Sequence, residues 1–217
     1  MAEETRPAQE YWDDRYRENG RLWSGMPSAA LVREVHGLTP GSALELGCGE
    51  GADAVWLALT GWRVTAVDIS AVALERARAH AAERGLGERV EWQRHDLAVS
   101  FPEGTYDLVC ALFLHSTVAL PRERILRRAA AAVAPGGTLL VVGHAGWPRG
   151  VEHDHEDRPE VHFPTPAEVF ASLELPEGAW EVRTDEEYER VRVLPDGREM
   201  HHLDNTLKIR RLPHPAG

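Results

Sequence analysis

The sequence predicts an α/β fold whose mostly parallel sheet ends in antiparallel strands. Three observations carry that expectation. From residue 42 onward, short aliphatic and β-branched runs alternate with helical stretches, the pattern of crossover units that place neighbouring strands parallel. The first run, "SALEL", passes through a turn holding Gly47, Gly49 and Gly51 before a helix begins. Near the end, Pro195, Asp196 and Gly197 separate two alternating runs, a strong hairpin signal.

Taken in order, residues 1–40 read as helical and rich in aromatics. In "YWDDRYRENG", Tyr11, Arg15 and Tyr16 fall within about one turn of each other and Gly20 offers a stop. A second helix follows Pro27 and Ser28, with Leu31, Val32 and Val35 at helical spacing. The core then runs "SALEL", "ADAVWLALTG", "RVTAVDI" and "SAVALERARAHAAERG", the last capped by Ser70 and stopped at Gly85. "RVEWQRHDL", "YDLVCALFL", a helix "PRERILRRAAAAVA" and "GTLLVVGH" complete it. Residues 144–164 lack periodicity and read as a surface loop. A short helix is expected from about Pro166 to Leu173, then the hairpin. The expectation is one domain over residues 1–217: a helical lid (1–40), a ligand-binding core (41–143) and a loop, helix and hairpin on the substrate side (144–217).

Composition narrows the function. At 217 residues the chain can bury a full core without disulfides or metal. A formal net charge of -11 repels phosphate backbones, which argues against nucleic acid and anionic membranes as partners. Cys48 and Cys110 lack zinc or redox spacing and read as buried, reduced thiols. The N-terminus has no secretory pattern and no stretch approaches the ~20 apolar residues of a membrane span. A cytoplasmic protein, monomeric or homodimeric, is expected.

A glycine turn between a strand and a helix lets a ligand touch backbone, and the helix N-terminus favours an anion. Gly47, Gly49 and Ala52 satisfy the dinucleotide fingerprint, so a nicotinamide-dependent oxidoreductase must be weighed. Gly51 and the preceding Glu45 go beyond that fingerprint, and a carboxylate there suits an ammonium group. Asp68 ends the second strand where an acid can accept ribose hydroxyls, with Ile69 beside it, and Asp96 and Leu97 end the third strand at the same sheet edge.

Together, Glu45 with the glycines, Asp68, "HDL", "YDLVCALFLH" and "PGGTLLVV" resemble the class I methyltransferases that use S-adenosyl-L-methionine. The resemblance spans residues 43–143 and implies a Rossmann-like, seven-stranded sheet, mostly parallel, with an antiparallel final strand and helices on both faces. It further implies that the turn from Gly47 through Cys48 and Gly49 to Gly51 passes the methionine moiety, that Asp68 holds the ribose, and that Asp96 and the Leu97 amide hold adenine. Cys110 and Ala111 would floor the sulfonium. The chain ends, "YWDDRY", "LHST", "VVGH" and "LPDGREMHHLDNTLKIRR", look like the small tellurite-resistance and thiopurine methyltransferases.

The reaction so implied is an in-line methyl transfer to a small-molecule acceptor, leaving S-adenosyl-L-homocysteine. Positioning and exclusion of water supply most of the acceleration. Trp12, Tyr16 and Trp23 are candidates for a lid whose faces attract the sulfonium. His115 and His144 follow the fourth and fifth strands, so both are candidate bases for an acceptor that arrives protonated. The acceptor atom stays open among sulfur, selenium or tellurium, oxygen and nitrogen, and a cofactor-binding protein without catalysis is the remaining alternative. His153, His155 and His162 in "EHDHEDRPEVH" lack the fixed spacing of a metal site, and no metal is expected. His201 and His202 are neighbours on a strand, so only one can face a pocket.

Overall fold

A computed structural model describes residues 7–150, 161–194 and 196–213. Two helices, α1 (Ala8–Glu18) and α2 (Ala29–Val35), precede β1 (Ser42–Leu46), α3 (Ala52–Leu59), β2 (Arg63–Asp68), α4 (Ala71–Ala82) and β3 (Val90–Arg94). There follow β4 (Tyr106–Leu112), α5 (Arg122–Ala131), β5 (Val133–His144), α6 (Pro166–Ser172), β6 (Trp180–Val193) and β7 (Glu199–Arg211). The strands form one seven-stranded sheet in the order β3-β2-β1-β4-β5-β7-β6. Pairings from β3 to β5 are parallel, whereas β7 runs antiparallel to both β5 and β6.

Period-two alternation sends successive side chains of each central strand into two separate cores. Ala43, Val64, Ala66, Leu108, Cys110, Leu140 and Val142 pack with α2, α3 and α4 on one face. Leu44, Leu46, Val67, Val109, Ala111, Leu139 and Val141 pack with α5 and α6 on the other. Helices therefore cover both faces, and the long aliphatic strands are buried throughout.

Local chemistry sets the boundaries. The Ser70 hydroxyl accepts from the Ala73 amide at 3.1 Å and caps α4, and Gly85 adopts φ +69 just beyond it. Thr165 and Glu168 form a reciprocal capping box on α6. At the hairpin tip the Leu194 amide donates to Arg198 O at 2.8 Å, and the Gly197 amide to Leu194 O at 2.9 Å. Three expected ends move inward. β3 stops at Arg94 and β4 at Leu112, and α5 stops at Ala131 because β5 starts at Val133, before the Pro-Gly-Gly bulge.

Strand order reverses between β1 and β4, so a crevice opens above their carboxyl ends. The glycine turn, the β4 end and the β5 end all converge there. The β6–β7 hairpin lengthens that side of the sheet and supplies one more wall.

Candidate active site

A cavity of about 580 Å³ occupies this crevice. The glycine turn forms one end of it. Gly47, Gly49 and Gly51 all have positive φ, at +72, +53 and +81, a region that side chains disfavour. Their reasons for being glycine differ. A Cβ on Gly49 would lie 3.0 Å from the Tyr16 hydroxyl and 3.2 Å from Trp23 Nε1, both roofing the turn. A Cβ on Gly51 would instead meet the Trp92 ring at 2.6 Å and Ala77 Cβ at 2.8 Å, so packing of α3 against α4 and β3 excludes it.

Five carboxylates gather at this end: Glu45, Glu50, Asp53, Asp68 and Asp96 all line the cavity. Glu45 is buried and its Oε2 has no hydrogen-bond partner among the described residues. Burial, reinforced by Asp53 and Asp68, pushes its pKa well up. Burial likewise raises Asp53 to about 6, although its Oδ1 accepts from the Ser28 amide at 2.6 Å. Asp68 accepts from the Gly49 amide and from the Ser70 amide, each at 2.9 Å. It thus pins the turn to the end of β2, and burial still raises its pKa. A buried carboxylate oxygen without a donor, facing the same cavity as Asp68, fits an ammonium group joined to a ribose-bearing body.

The roof is held by ion pairs and caps. Asp13 of α1 is buried and accepts from the Ser70 hydroxyl at 2.6 Å, tying α1 to the start of α4. Glu50 accepts from the Leu22 and Trp23 amides at 3.1 and 3.2 Å and from Arg76 at 3.0 Å. Arg76 also donates to Tyr16 O and Asn19 O at the end of α1. Trp23 Nε1 donates to the Tyr16 hydroxyl at 3.0 Å, and Trp12 lines the cavity beside them.

Opposite lies a histidine-rich end. β4 finishes in a kink at Phe113, a non-glycine residue at φ 51, a conformation costing roughly 1–2 kcal/mol. The kink turns the Phe113 ring toward His144, with centroids 4.8 Å apart, and lets His115 stack on His144 at 5.3 Å and 11°. His115 Nε2 accepts from the His144 amide at 3.2 Å. That bond occupies its lone pair and leaves the proton on Nδ1. Burial, then the nearby charges of Arg122 and His144, lower the His115 pKa to about 4.

His144 is arranged differently. Its Nδ1 bonds the fully buried Asp204 at 2.8 Å, and the other Asp204 oxygen accepts from Arg190 Nε at 2.7 Å. Sheet register explains the cluster: His144 lies opposite Asp204 across β5 and β7, and Asp204 opposite Tyr188 across β7 and β6. Burial works to raise Asp204, yet the bonds from His144 and Arg190 outweigh it and hold its carboxyl below the usual range. A carboxylate on Nδ1 leaves Nε2 as the basic nitrogen.

Of the residues singled out in the sequence, Trp12, Tyr16, Trp23, Glu45, Gly47, Cys48, Gly49, Gly51, Asp68, Ile69, Asp96, Leu97, His115 and His144 all line this cavity. Cys110 and Ala111 do not, and their expected place beneath the sulfonium is corrected. They pair with Glu45 and Leu46 in mid-sheet and point into the two opposite cores. The lining residues are Leu112, Phe113 and Leu114, because the strand breaks only at the kink. Of the neighbouring pair on β7, His202 faces the cavity, while His201 pairs with Glu189.

Glu50, Asp53, Tyr188, Arg190, Arg192 and His202 are further lining residues that had not been singled out as site residues, and Asp204 supports His144 and Arg190 from beneath. Glu50 within the glycine turn, Asp53 in the first turn of α3 and the His201/His202 pair carried a local signal; Tyr188, Arg190 and Arg192 did not. Of the histidine- and acid-rich stretch 152–162, residues 152–160 lie outside the described residues. His144, His202 and Asp204 bring ligand-type atoms within 4.8 Å of one another. Both Asp204 oxygens, however, are already committed to His144 and Arg190.

Residues 43–137 match the model of a methyltransferase domain family. The chain is 33% identical over 136 residues to the ribosomal RNA small subunit methyltransferase C of Alcanivorax borkumensis, covering 60% of this chain and 41% of that protein. It thus spans about half or less of the length of the first curated relatives it matches. Among solved structures, a DhpI complex with S-adenosyl-L-homocysteine is 28% identical, with a TM-score of 0.62 and coverage of 95% of this chain and 96% of that one. TehB from Haemophilus influenzae shares the fold at a TM-score of 0.63 and 17% identity, covering 94% of this chain and 67% of that one.

Proposed function

We propose that the chain, whose residues 43–137 match the model of a methyltransferase domain family, transfers a methyl group from S-adenosyl-L-methionine to a small-molecule acceptor. One observation carries this reading. A single cavity has a glycine turn ringed by carboxylates at one end and a histidine bonded to a buried aspartate at the other.

In this reading Glu45, with Asp53 behind it, takes the ammonium of the methionine moiety, which gives Glu45 Oε2 the donor it lacks. Asp68 accepts from the ribose with the lone pairs not used by Gly49 and Ser70, and Asp96 and Leu97 border adenine. Tyr16, Trp23 and Trp12 exclude water above the turn. The bound donor supplies an electrophilic methyl carbon on a sulfonium; the protein's task is to align the acceptor and remove its proton. His144 Nε2 takes that proton, and Asp204 stabilises the imidazolium that results. His115 positions the neighbouring backbone through its bond to the His144 amide and, with that lone pair occupied, is not the base.

A ribosomal RNA acceptor, the substrate class in the name of one relative, is the second reading. The formal charge of -11 speaks for the small molecule. Calorimetric titration tests the donor assignment: S-adenosyl-L-homocysteine binds, NADH does not, and Glu45→Gln weakens the former. Equal binding of NADH, with a pyrophosphate seated on the turn, overturns it.

A further inference from the structure

The charged groups lining the cavity are segregated by sign. Every carboxylate that lines it comes from the ends of β1, β2 and β3 or from the turn and start of α3; every arginine comes from β6. Residues two apart on a strand share a face, so Tyr188, Arg190 and Arg192 stand in one row. Opposite Arg190 on β7 is His202, which shares its face with Asp204.

Among the described residues of this face, Glu186 is taken by Arg33, and Asp204 is spent: fully buried, it takes His144 on one oxygen and Arg190 on the other. The Arg192 side chain has no hydrogen bond or ion pair among the described residues, and the residue lines the cavity. His202 Nε2 is buried and without a partner. Behind His115, Arg122 adds another positive charge whose Nε is also buried and unbonded. In a chain of formal charge -11, three guanidinium groups and two buried nitrogens without a partner thus lie around the acceptor end, and among the described residues its buried carboxylate, Asp204, is already committed.

Resting on the methyltransferase reading, we infer that the methyl acceptor is an anion, a small organic acid whose carboxylate or phosphoryl group sits against Arg192 and His202 Nε2. A planar guanidinium donates two parallel bonds to either group. Such a grip, one residue pair along the hairpin from Asp204, would hold the acceptor with its nucleophilic atom toward His144 Nε2. The acidic end meanwhile repels the same anion, so acceptor and donor cannot exchange places.

Calorimetry on the full chain saturated with S-adenosyl-L-homocysteine tests this, with benzoate, phenylphosphonate, benzamide and benzylammonium as probes. Benzoate or phenylphosphonate should bind at least about ten-fold more tightly than benzamide, a difference of about 1.4 kcal/mol. Which of the two is tighter distinguishes carboxylate from phosphoryl recognition. Arg192→Gln should bring the anions down to the benzamide level and Arg192→Lys should recover part of the preference, with the affinity for S-adenosyl-L-homocysteine unchanged. The inference is overturned if benzamide or benzylammonium binds as well as either anion, if no anion binds, or if Arg192→Gln leaves anion affinity intact. Failure of the wild-type chain to bind S-adenosyl-L-homocysteine strikes the methyl-donor reading instead. A thermal midpoint within a few degrees of wild type certifies that each variant is folded.

Discussion

The two ends of the cavity are built from opposite materials. At the glycine turn, carboxylates are buried beyond what their own partners compensate, and Glu45 and Asp53 are pushed toward neutrality. At the β5–β7 end the buried carboxylate is over-supplied with donors, and Asp204 is held ionised. In the proposed reading the first end is a receptor for a cation, which would relieve its buried charge. The second is a finished machine part, since its aspartate is fully employed in orienting His144. Burial alone therefore does not tell what a carboxylate is for; the count of its donors does.

If that division of labour is right, damage to one end should leave the other intact. The largest effect is expected for Asp204→Asn, which removes the charge behind His144 and lets its proton move to the wrong nitrogen. We expect kcat to fall by about 10²–10⁴ with an acceptor that arrives protonated, while affinity for S-adenosyl-L-homocysteine changes less than about two-fold. A comparable loss of that affinity would show that the ends are not separable.

Next in size is Gly49→Ala. The new methyl meets the Tyr16 hydroxyl at 3.0 Å, in a backbone region costing a side chain roughly 1–2 kcal/mol. S-adenosyl-L-homocysteine should bind about ten-fold more weakly, whereas anion probes at the other end should be unaffected. Unchanged cofactor affinity would mean that the turn is not where the donor lies.

Apart from these effects on function stands stability against pH, where the two ends should move in opposite directions. Asp53 has its folded pKa raised from 3.8 to about 6, so its contribution is present at low pH and is lost as pH rises through about 6. Asp53→Asn should therefore be more stable than wild type by about 3 kcal/mol at pH 7, with the gap closing toward pH 4. His115 has its folded pKa lowered from 6.5 to about 4. Its contribution is complete above 6.5 and is lost as pH falls toward 4, so the deficit of His115→Asn at pH 7 should narrow by about 3 kcal/mol over that window. Urea unfolding at intervals of pH reads both, and parallel rather than converging curves for either variant would refute its assignment.

The receptor end was legible in the sequence and the machine end was only half so. Glu45, the glycines, Asp68 and Asp96 announce themselves because each lies at a strand terminus, and strand termini can be read from local composition. His115 and His144 were found by the same rule. Their unequal hydrogen bonding was not, because it depends on partners distant in sequence: Asp204, some 60 residues from His144, reaches it from β7. Arg190, Arg192 and His202 likewise owe their place to hairpin register, which no local pattern fixes. Cys110 and Ala111 were misplaced because the strand's end is set by the backbone at Phe113, where a bulky side chain gives no warning of a left-handed turn.

The ties between the α1 segment and the glycine turn also bear on timing. The bonds of Asp13 with Ser70 and of Glu50 with Arg76 hold the roof onto the turn, so in the proposed reaction the spent nucleoside would leave as those bonds open. Turnover would then be set by how often that clamp loosens, with the departing nucleoside the slow traveller and the methylated product the quick one.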